Sequence, residues 1–175
     1  MNLKPNTLTF IGLCREYCSA IEQADTIPAE EFVANMVRLL PRIYITATDM
    51  EIPVVLDDEY VGIDSYLEED YYESLRVKLE NMFGPDDVYL EVFEDEMKYS
   101  DTPIRASLSE GLCDLFQTLY NFMETFRNNV SEQFMAAALQ GVYDEFKAQW
   151  GQTLVNLMRP LNALANKSVD EENDF

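Results

Sequence analysis

Apolar residues recur every three or four positions along most of this chain, which is the spacing of one buried face of an α-helix. The pattern predicts helices over about residues 8–24, 28–44, 64–83, 107–128 and 131–164. Pro41 lies inside the second helix, where we expect a kink or a break near Leu40, because proline lacks the amide hydrogen that a helix interior needs. In the fifth helix, Gly141 and Gly151 lower the helical propensity, and Pro160 should bend the helix.

Two stretches lack this helical spacing. Residues 49–64 contain a proline, a glycine and a run of acidic residues, and are predicted to form a loop. Residues 88–93 alternate as those of a strand do, but they stand alone, so we expect an extended segment that lies on the helices. The chain is therefore predicted to be all-α, an irregular bundle of about five helices with an acidic loop and a short extended segment. Residues 1–167 should form a single helical domain, and residues 168–175 a disordered acidic tail.

The start of the fourth helix carries a specific local signal. Ser107 and Glu110 have the spacing of a capping box, in which the serine side chain accepts a hydrogen bond from the glutamate amide. This pair predicts that the helix begins just after Ser107.

The charge of the chain limits what its surface can bind. The sequence has 33 acidic residues, 12 basic residues and no histidine, for a formal net charge of −21. Residues 49–101 hold 18 of the acids and three of the bases. Nucleic acids and anionic membranes are polyanions that such a surface repels, so neither is an expected partner. The lack of histidine excludes Ser-His-Asp triads, Cys-His pairs and histidine-ligated metal sites.

The cysteines and the lengths of the apolar runs indicate in which cellular compartment the protein is expected. The N-terminus carries no apolar run of signal-peptide length, and no segment approaches the roughly 20 apolar residues of a membrane span. Three cysteines are an odd number, which argues against a disulfide framework. Cys14 and Cys18 share the apolar face of the first helix, so we expect buried, reduced thiols. These features favour a soluble, cytoplasmic protein.

Several segments of the chain resemble one bacterial family. They are residues 71–79, residues 84–93, residues 107–116 and residues 146–151. In these segments, and over nearly the whole chain, the sequence is similar to the bacterial domain-of-unknown-function family number five thousand and sixty-three. The resemblance implies a small, acidic, all-helical cytoplasmic protein. Because that family has no established activity, the resemblance assigns no catalytic residue.

Carboxylate-only chemistry is the main enzymatic alternative. Residues 57–68 resemble the spacing of a twelve-residue calcium loop, but they lack an oxygen ligand at one position, and near matches arise by chance in so acidic a segment. Glu91 with Glu94, and Glu110 with Asp114, could hold magnesium in an all-helical phosphohydrolase, although capping and exposure to solvent explain them more simply. The sequence has no glycine-rich phosphate loop and no cofactor fingerprint. We therefore predict no metal site, no cofactor and no catalytic residue.

Acidic residues alternate with tyrosines in the middle of the chain. Such a surface suits a protein partner with a basic face, because tyrosines anchor the partner and carboxylates steer it. We predict a non-enzymatic interaction or regulatory module whose binding surface includes Asp57, Asp58, Glu59, Tyr60, Tyr66, Glu68, Glu69, Tyr72, Glu94, Asp95 and Glu96. A solvated face with half-buried tyrosines is the simplest explanation of the same pattern.

Two functional alternatives remain open. One is a carboxylate-only, divalent-metal-dependent phosphohydrolase, and the other is a nucleic-acid mimic that binds a basic protein. A hydrolase needs carboxylates that converge in a concave pocket, whereas an interaction module is expected to spread them over a convex surface.

Overall fold

The structure, a computed structural model, describes residues 1–91, 98, 102–129 and 131–171. It confirms the predicted all-α bundle. The helices are α1 (Pro5–Glu22), α2 (Ala29–Thr48), α3 (Glu69–Phe83), α4 (Leu108–Asn128), α5 (Glu132–Glu145) and α6 (Gly151–Glu171). Two short strands, β1 (Val88–Leu90) and β2 (Arg105–Ser107), lie between α3 and α4. Within the described residues, no helix has an apolar stretch long enough to span a lipid bilayer.

Helix α4 lies at the centre of the bundle. It packs against α1, α3, α5 and α6, while α2 packs against α1 and α6. The largest fully buried side chains include Phe10, Tyr17, Phe32, Phe116, Phe122 and Trp150. The hydroxyl of Tyr17 donates a 2.7 Å hydrogen bond to the carbonyl of Leu112, so this polar group is satisfied inside the core.

The three cysteines lie in the core without disulfide partners, as predicted. Cys14 and Cys18 lie one turn apart on α1, and Cys113 lies on α4. Burial raises the pKa of all three thiols, to about 12 for Cys18 and Cys113. The thiols therefore remain protonated at neutral pH and pack as small apolar groups.

Of the kink or break predicted near Leu40, the break is wrong, and the kink stays a prediction. Helix α2 runs from Ala29 through Pro41 to Thr48. Pro41 leaves the carbonyl of Val37 without its usual amide donor. The apolar face of α2 nevertheless continues on both sides of the proline, where Leu40 and Ile43 are fully buried. Tertiary packing therefore outweighs the local cost of the proline.

The expectation that residues 88–93 stand alone is wrong for the part that the structure describes. Strand β1 pairs antiparallel with β2, and Tyr89 lies opposite Ala106. Arg159 of α6 donates a hydrogen bond to the carbonyl of Leu90, which fastens this ribbon to the bundle. No sequence pattern marks β2, because a three-residue strand is too short to show an apolar alternation. Residues 92 and 93 lie outside the described residues.

The last two helices form one continuous helical run that contains a wide turn. Between α5 and α6, residues Phe146–Trp150 form a π-helical turn, and the amide of Gly151 bonds the carbonyl of Phe146 five residues earlier. A Cβ atom at position 151 would lie 2.7 Å from that carbonyl oxygen. The wide turn therefore requires glycine at this position.

The long apolar pattern of the fifth predicted helix is thus explained by α5 and α6 together. Pro160 lies inside α6, which continues to Glu171. Helix α6 thus includes residues 168–171 of the predicted tail. Residues 172–175 lie outside the described residues, so the disorder of the tail stays a prediction.

Candidate functional site

Side chains of α4 hold the segment that leads into α3. The hydroxyl of Thr125 accepts a 2.9 Å hydrogen bond from the amide of Asp64. The side-chain oxygen of Asn121 accepts hydrogen bonds of 2.9 and 2.8 Å from the amides of Tyr66 and Leu67. These amides are held in an extended segment, so α3 begins at Glu69 and not near residue 64, as the sequence had predicted. The acidic loop therefore spans residues 49–68.

Helix α5 holds the middle of the acidic loop through a close backbone contact. The amide of Gly62 donates a 3.4 Å hydrogen bond to the carbonyl of Ala137. Gly141 lies one turn further along α5, where an added Cβ atom would come within 2.8 Å of the Gly62 backbone. Gly141, which the sequence marks only as a weak helix former, is the residue that lets the loop lie against α5.

We expect Gly141→Ala to lower the free energy of unfolding by about 1 kcal/mol, because the cost of displacing a backbone exceeds the gain in helix propensity. The displaced loop should also pull on the bonds to Asn121, so the amides of Tyr66 and Leu67 should exchange hydrogen faster. Chemical denaturation and hydrogen exchange measure the two effects. Gly12→Ala is the matched control: Gly12 lies in α1 with nothing near its added Cβ, and alanine there should stabilise the protein. Stabilisation by both alanines would show that the contact of Gly62 with α5 does not constrain the loop.

The first acidic cluster of the predicted surface lies on the α5 side of the loop. The carboxylate of Asp57 accepts a 3.0 Å hydrogen bond from the amide of Glu59 and so caps a short 3₁₀ turn. The ring of Tyr60 contacts that of Phe134 edge to face, with 4.9 Å between the centroids. Asp57, Asp58 and Glu59 are exposed.

The second part of the predicted surface lies in a cleft between the start of α3 and α4. This α3–α4 cleft has a volume of about 450 Å³ and is lined by Leu67, Glu69, Asp70, Tyr72, Glu73, Asp114 and Gln117. The hydroxyl of Tyr72 donates a 2.5 Å hydrogen bond to the carboxylate of Asp114 across the cleft. Burial and this hydrogen bond raise the pKa of Tyr72, so the phenol keeps its proton. The cleft carboxylates thus line a concave surface, the arrangement expected of a hydrolase. The carboxylates of Asp57, Asp58 and Glu59 lie exposed on the loop, the arrangement expected of an interaction module, so this criterion alone does not decide between the two functions.

The charges of the α3–α4 cleft are only partly balanced. Arg76 bonds both Glu73 and Glu80 along α3, at 2.5 and 2.8 Å. The Arg76 guanidinium holds the pKa of Glu73 below its ordinary value. Glu69 and Asp70 have no hydrogen bond or ion pair from their side chains among the residues that the structure describes. Two of the cleft's four carboxylates are therefore free to meet a cation.

A second, smaller cleft meets the first at Asp114. This ribbon cleft, of about 230 Å³, lies between the ribbon, α4 and α6, and its charged lining consists of Glu91, Arg105, Glu110 and Asp114. Glu110 and Asp114, which the sequence offers as a pocket-facing pair, therefore do line one cavity. No group of three or more cysteine, aspartate or glutamate residues in the described part of the chain is placed to hold a metal ion.

The structure separates the described residues of the predicted surface into three groups. Glu69 and Tyr72 line the α3–α4 cleft, while Tyr66 and Glu68 are exposed in the segment that precedes α3. The cluster Asp57 to Tyr60 lies apart, against α5. Glu94, Asp95 and Glu96 lie outside the described residues.

Five cleft residues were missing from the predicted surface, namely Leu67, Asp70, Glu73, Asp114 and Gln117. Glu69 and Glu73 lie one turn apart on α3, so the spacing of acids along that helix is the signal that could have identified Glu73. Asp114 is brought to them only by the packing of α4 on α3, for which the sequence has no pattern.

Comparisons with known proteins agree with the predicted family. Residues 2–167 match the domain of unknown function DUF5063. The chain belongs to this family. Its fold is also similar to that of protein BF1032 from Bacteroides fragilis, a crystal structure with a TM-score of 0.76, 27% sequence identity and coverage of 92% of each chain. No curated protein matches the sequence. The family therefore supplies a fold and no assigned activity.

Proposed function

We propose that this DUF5063 protein is a non-enzymatic interaction module and that its α3–α4 cleft holds an arginine or lysine side chain of a protein partner. The observation that carries the proposal is the free negative charge of Glu69 and Asp70 inside a concave site. Neither carboxylate has a basic partner among the described residues, so a cation that enters the cleft meets negative charge that is not yet compensated.

Arginine fits the lining of the cleft better than lysine. Its planar guanidinium can donate to two carboxylates at once, and its flat face can stack on an aromatic ring. Tyr72 supplies such a ring, and its position is fixed by the hydrogen bond to Asp114. The ribbon cleft, which shares Asp114, offers a second acidic position for a neighbouring basic residue.

The charge of the whole molecule supports the same kind of partner. At low ionic strength, a formal net charge of −21 creates a long-range field that attracts basic proteins and speeds their association. The α3–α4 cleft then provides the local contacts that a general field lacks.

A bacterial cytoplasmic location is part of the proposal. Three buried cysteines without disulfide partners suit a reducing compartment. The similarity to a protein of Bacteroides fragilis supports a bacterial setting.

Removing the free carboxylates tests the proposal. We expect the double variant Glu69→Gln with Asp70→Asn to bind a blocked Arg-Gly-Arg peptide about tenfold more weakly than the native chain, which corresponds to two modest charge contacts. Chemical-shift titration measures the affinity, and the shifts should centre on α3 and on Asp114. A Lys-Gly-Lys peptide should bind more weakly than the arginine peptide.

The matched control removes the same charge from the same kind of position. Glu30 and Glu31 lie in the first turn of α2, as Glu69 and Asp70 lie in that of α3. The double variant Glu30→Gln with Glu31→Gln should keep peptide affinity within about twofold of native, since long-range field effects alone are weak at physiological salt. Equal losses in the two double variants would mean that only net charge matters, and would overturn the proposal.

A further inference from the structure

A groove between α1, α4 and the start of α5 has different chemistry from the acidic clefts. Its volume is about 670 Å³, within the range of small-molecule sites. Its apolar lining consists of Ile11, Cys18, Met123, Phe126 and Met135. Methionine side chains adapt their shape to what they contact, which suits a surface that receives a ligand.

The thiol of Cys18 belongs to the apolar part of this groove. Burial, with a further contribution from Glu22 and Glu124, raises its pKa to about 12. The thiol is therefore neutral at physiological pH and offers neither a nucleophile nor a charge to a ligand.

Three of the four charged side chains that line the groove already have partners. Arg127 bonds Glu124 at 2.6 Å. Glu22 accepts a 2.5 Å hydrogen bond from the hydroxyl of Tyr71. Arg15 has no hydrogen bond or ion pair among the residues that the structure describes, although the chain has 33 acids for 12 bases. Tyr71 leaves the negative charge of Glu22 in place, so Arg15 is distinguished by its bonding and not by the net charge of the groove: it is the charged lining residue whose donors are unused among the described residues.

We propose that this groove binds a small amphipathic anion, whose apolar body lies on the methionine and phenylalanine side chains and whose carboxylate bonds Arg15. The guanidinium supplies a forked pair of donors that matches a carboxylate. The apolar lining buries the apolar body of the ligand, and this burial stabilises the complex in a way that a carboxylate ion without an apolar body cannot. This site is separate from the α3–α4 cleft, because it shares no lining residue with that cleft and takes a ligand of opposite charge.

Decanoate is a suitable probe, with methionine methyl signals as reporters. At about 0.15 M salt, charges more than about 8 Å from the groove are largely screened, so the net charge of the protein should not prevent binding. Decanoate should shift the methyl signals of Met123 and Met135 and leave that of Met36, which lies fully buried in the core, unchanged. A decyltrimethylammonium ion, with the same chain and the opposite charge, should bind at least tenfold more weakly.

Arg15→Gln is expected to weaken decanoate binding about tenfold, the effect of losing one charge-assisted contact. The matched control is Arg38→Gln, which removes another exposed helical arginine that does not line the groove and should change the affinity less than twofold. Circular dichroism checks that both variants keep the native helix content.

Three results would overturn the proposal. Equal affinity of the Arg15→Gln and native proteins would show that Arg15 does not hold the carboxylate. Equal binding of the cationic chain would show that only apolar contact matters. If millimolar decanoate does not shift the methyl signals of Met123 and Met135, the groove does not bind the ligand.

Discussion

Replacing Trp150 by alanine is expected to lower the free energy of unfolding by about 4 kcal/mol, in the range for truncating a buried aromatic side chain. Trp150 is 2% exposed, and its ring lies 4.7 Å from that of Phe146 and 6.1 Å from that of Phe10, between centroids. Its indole nitrogen donates a 2.9 Å hydrogen bond to the carbonyl of Val142. The side chain thus joins α1 to the wide turn between α5 and α6.

Urea unfolding followed by far-UV circular dichroism measures this loss. Fluorescence is unsuitable, because Trp150 is the only tryptophan of the chain. Trp150→Phe keeps an aromatic ring and should cost about half as much. In that variant the carbonyl of Val142 still accepts a hydrogen bond from the amide of Phe146, so this buried acceptor keeps a partner.

Val155→Ala is the control on the same helical run. Val155 of α6 is 46% exposed, and its truncation should cost less than about 0.5 kcal/mol. A loss for Trp150→Ala as small as that for Val155→Ala would show that the wide turn does not depend on the indole.

The helices of this fold could be predicted because each has one apolar face that repeats through its length. That repetition decides the outcome even at Pro41, where the buried side chains of Leu40 and Ile43 keep α2 intact. Local rules erred where they were applied to one residue at a time. A proline or a glycine has a local cost, but its effect depends on the surface packed against it, as Gly141 and Gly62 demonstrate.

The path of the acidic loop could not be predicted, because distant side chains determine it. Leu67 is held by Asn121, a residue 54 positions later in the chain. Such a contact leaves no periodic pattern in the loop itself. The available signal is a polar residue inside an apolar helical face, such as Asn121 between Leu119 and Phe122. Such a residue indicates that the helix also hydrogen-bonds a segment that is not one of the helices packed against it.

The candidate site was predictable only in part. The charge and the tyrosine content of the acidic middle of the chain predicted Glu69 and Tyr72 as binding residues, and both line the cleft. Composition does not distinguish a cleft from an open surface, however. The opposite wall of the cleft is made by Asp114 of α4, which comes from outside the acidic segment and is positioned by helix packing.

Replacing Asp87 by alanine is expected to lower the free energy of unfolding by about 3 kcal/mol. Asp87 is 5% exposed, and its carboxylate accepts hydrogen bonds from the amide of Ser109 at 2.7 Å and from the hydroxyls of Ser107 and Ser109 at 2.8 Å each. These groups form the N-terminal turn of α4, where a negative charge is also favoured by the helix dipole. Alanine would leave the buried Ser109 amide without an acceptor.

The predicted Ser107 cap of α4 is confirmed, since its hydroxyl oxygen accepts a 3.2 Å hydrogen bond from the amide of Glu110. Asp87 adds a second acceptor to the same turn from the segment that follows α3. The carboxylate therefore fixes the start of α4 relative to α3, and these are the two helices that form the acidic cleft. Loss of Asp87 should consequently weaken binding of the Arg-Gly-Arg peptide as well as stability.

Two variants separate these effects of Asp87. Asp87→Asn keeps an oxygen acceptor for the Ser109 amide, and the serine hydroxyls can rotate to accept from its amide group, so the loss should be about 1 kcal/mol. Asp86→Ala removes the neighbouring exposed carboxylate, which lies 3.5 Å from Lys167, and should cost less than about 1 kcal/mol. If Asp87→Ala and Asp86→Ala unfold at the same urea concentration, the hydrogen bonds of Asp87 do not hold α4, and the cleft must be positioned by apolar packing alone.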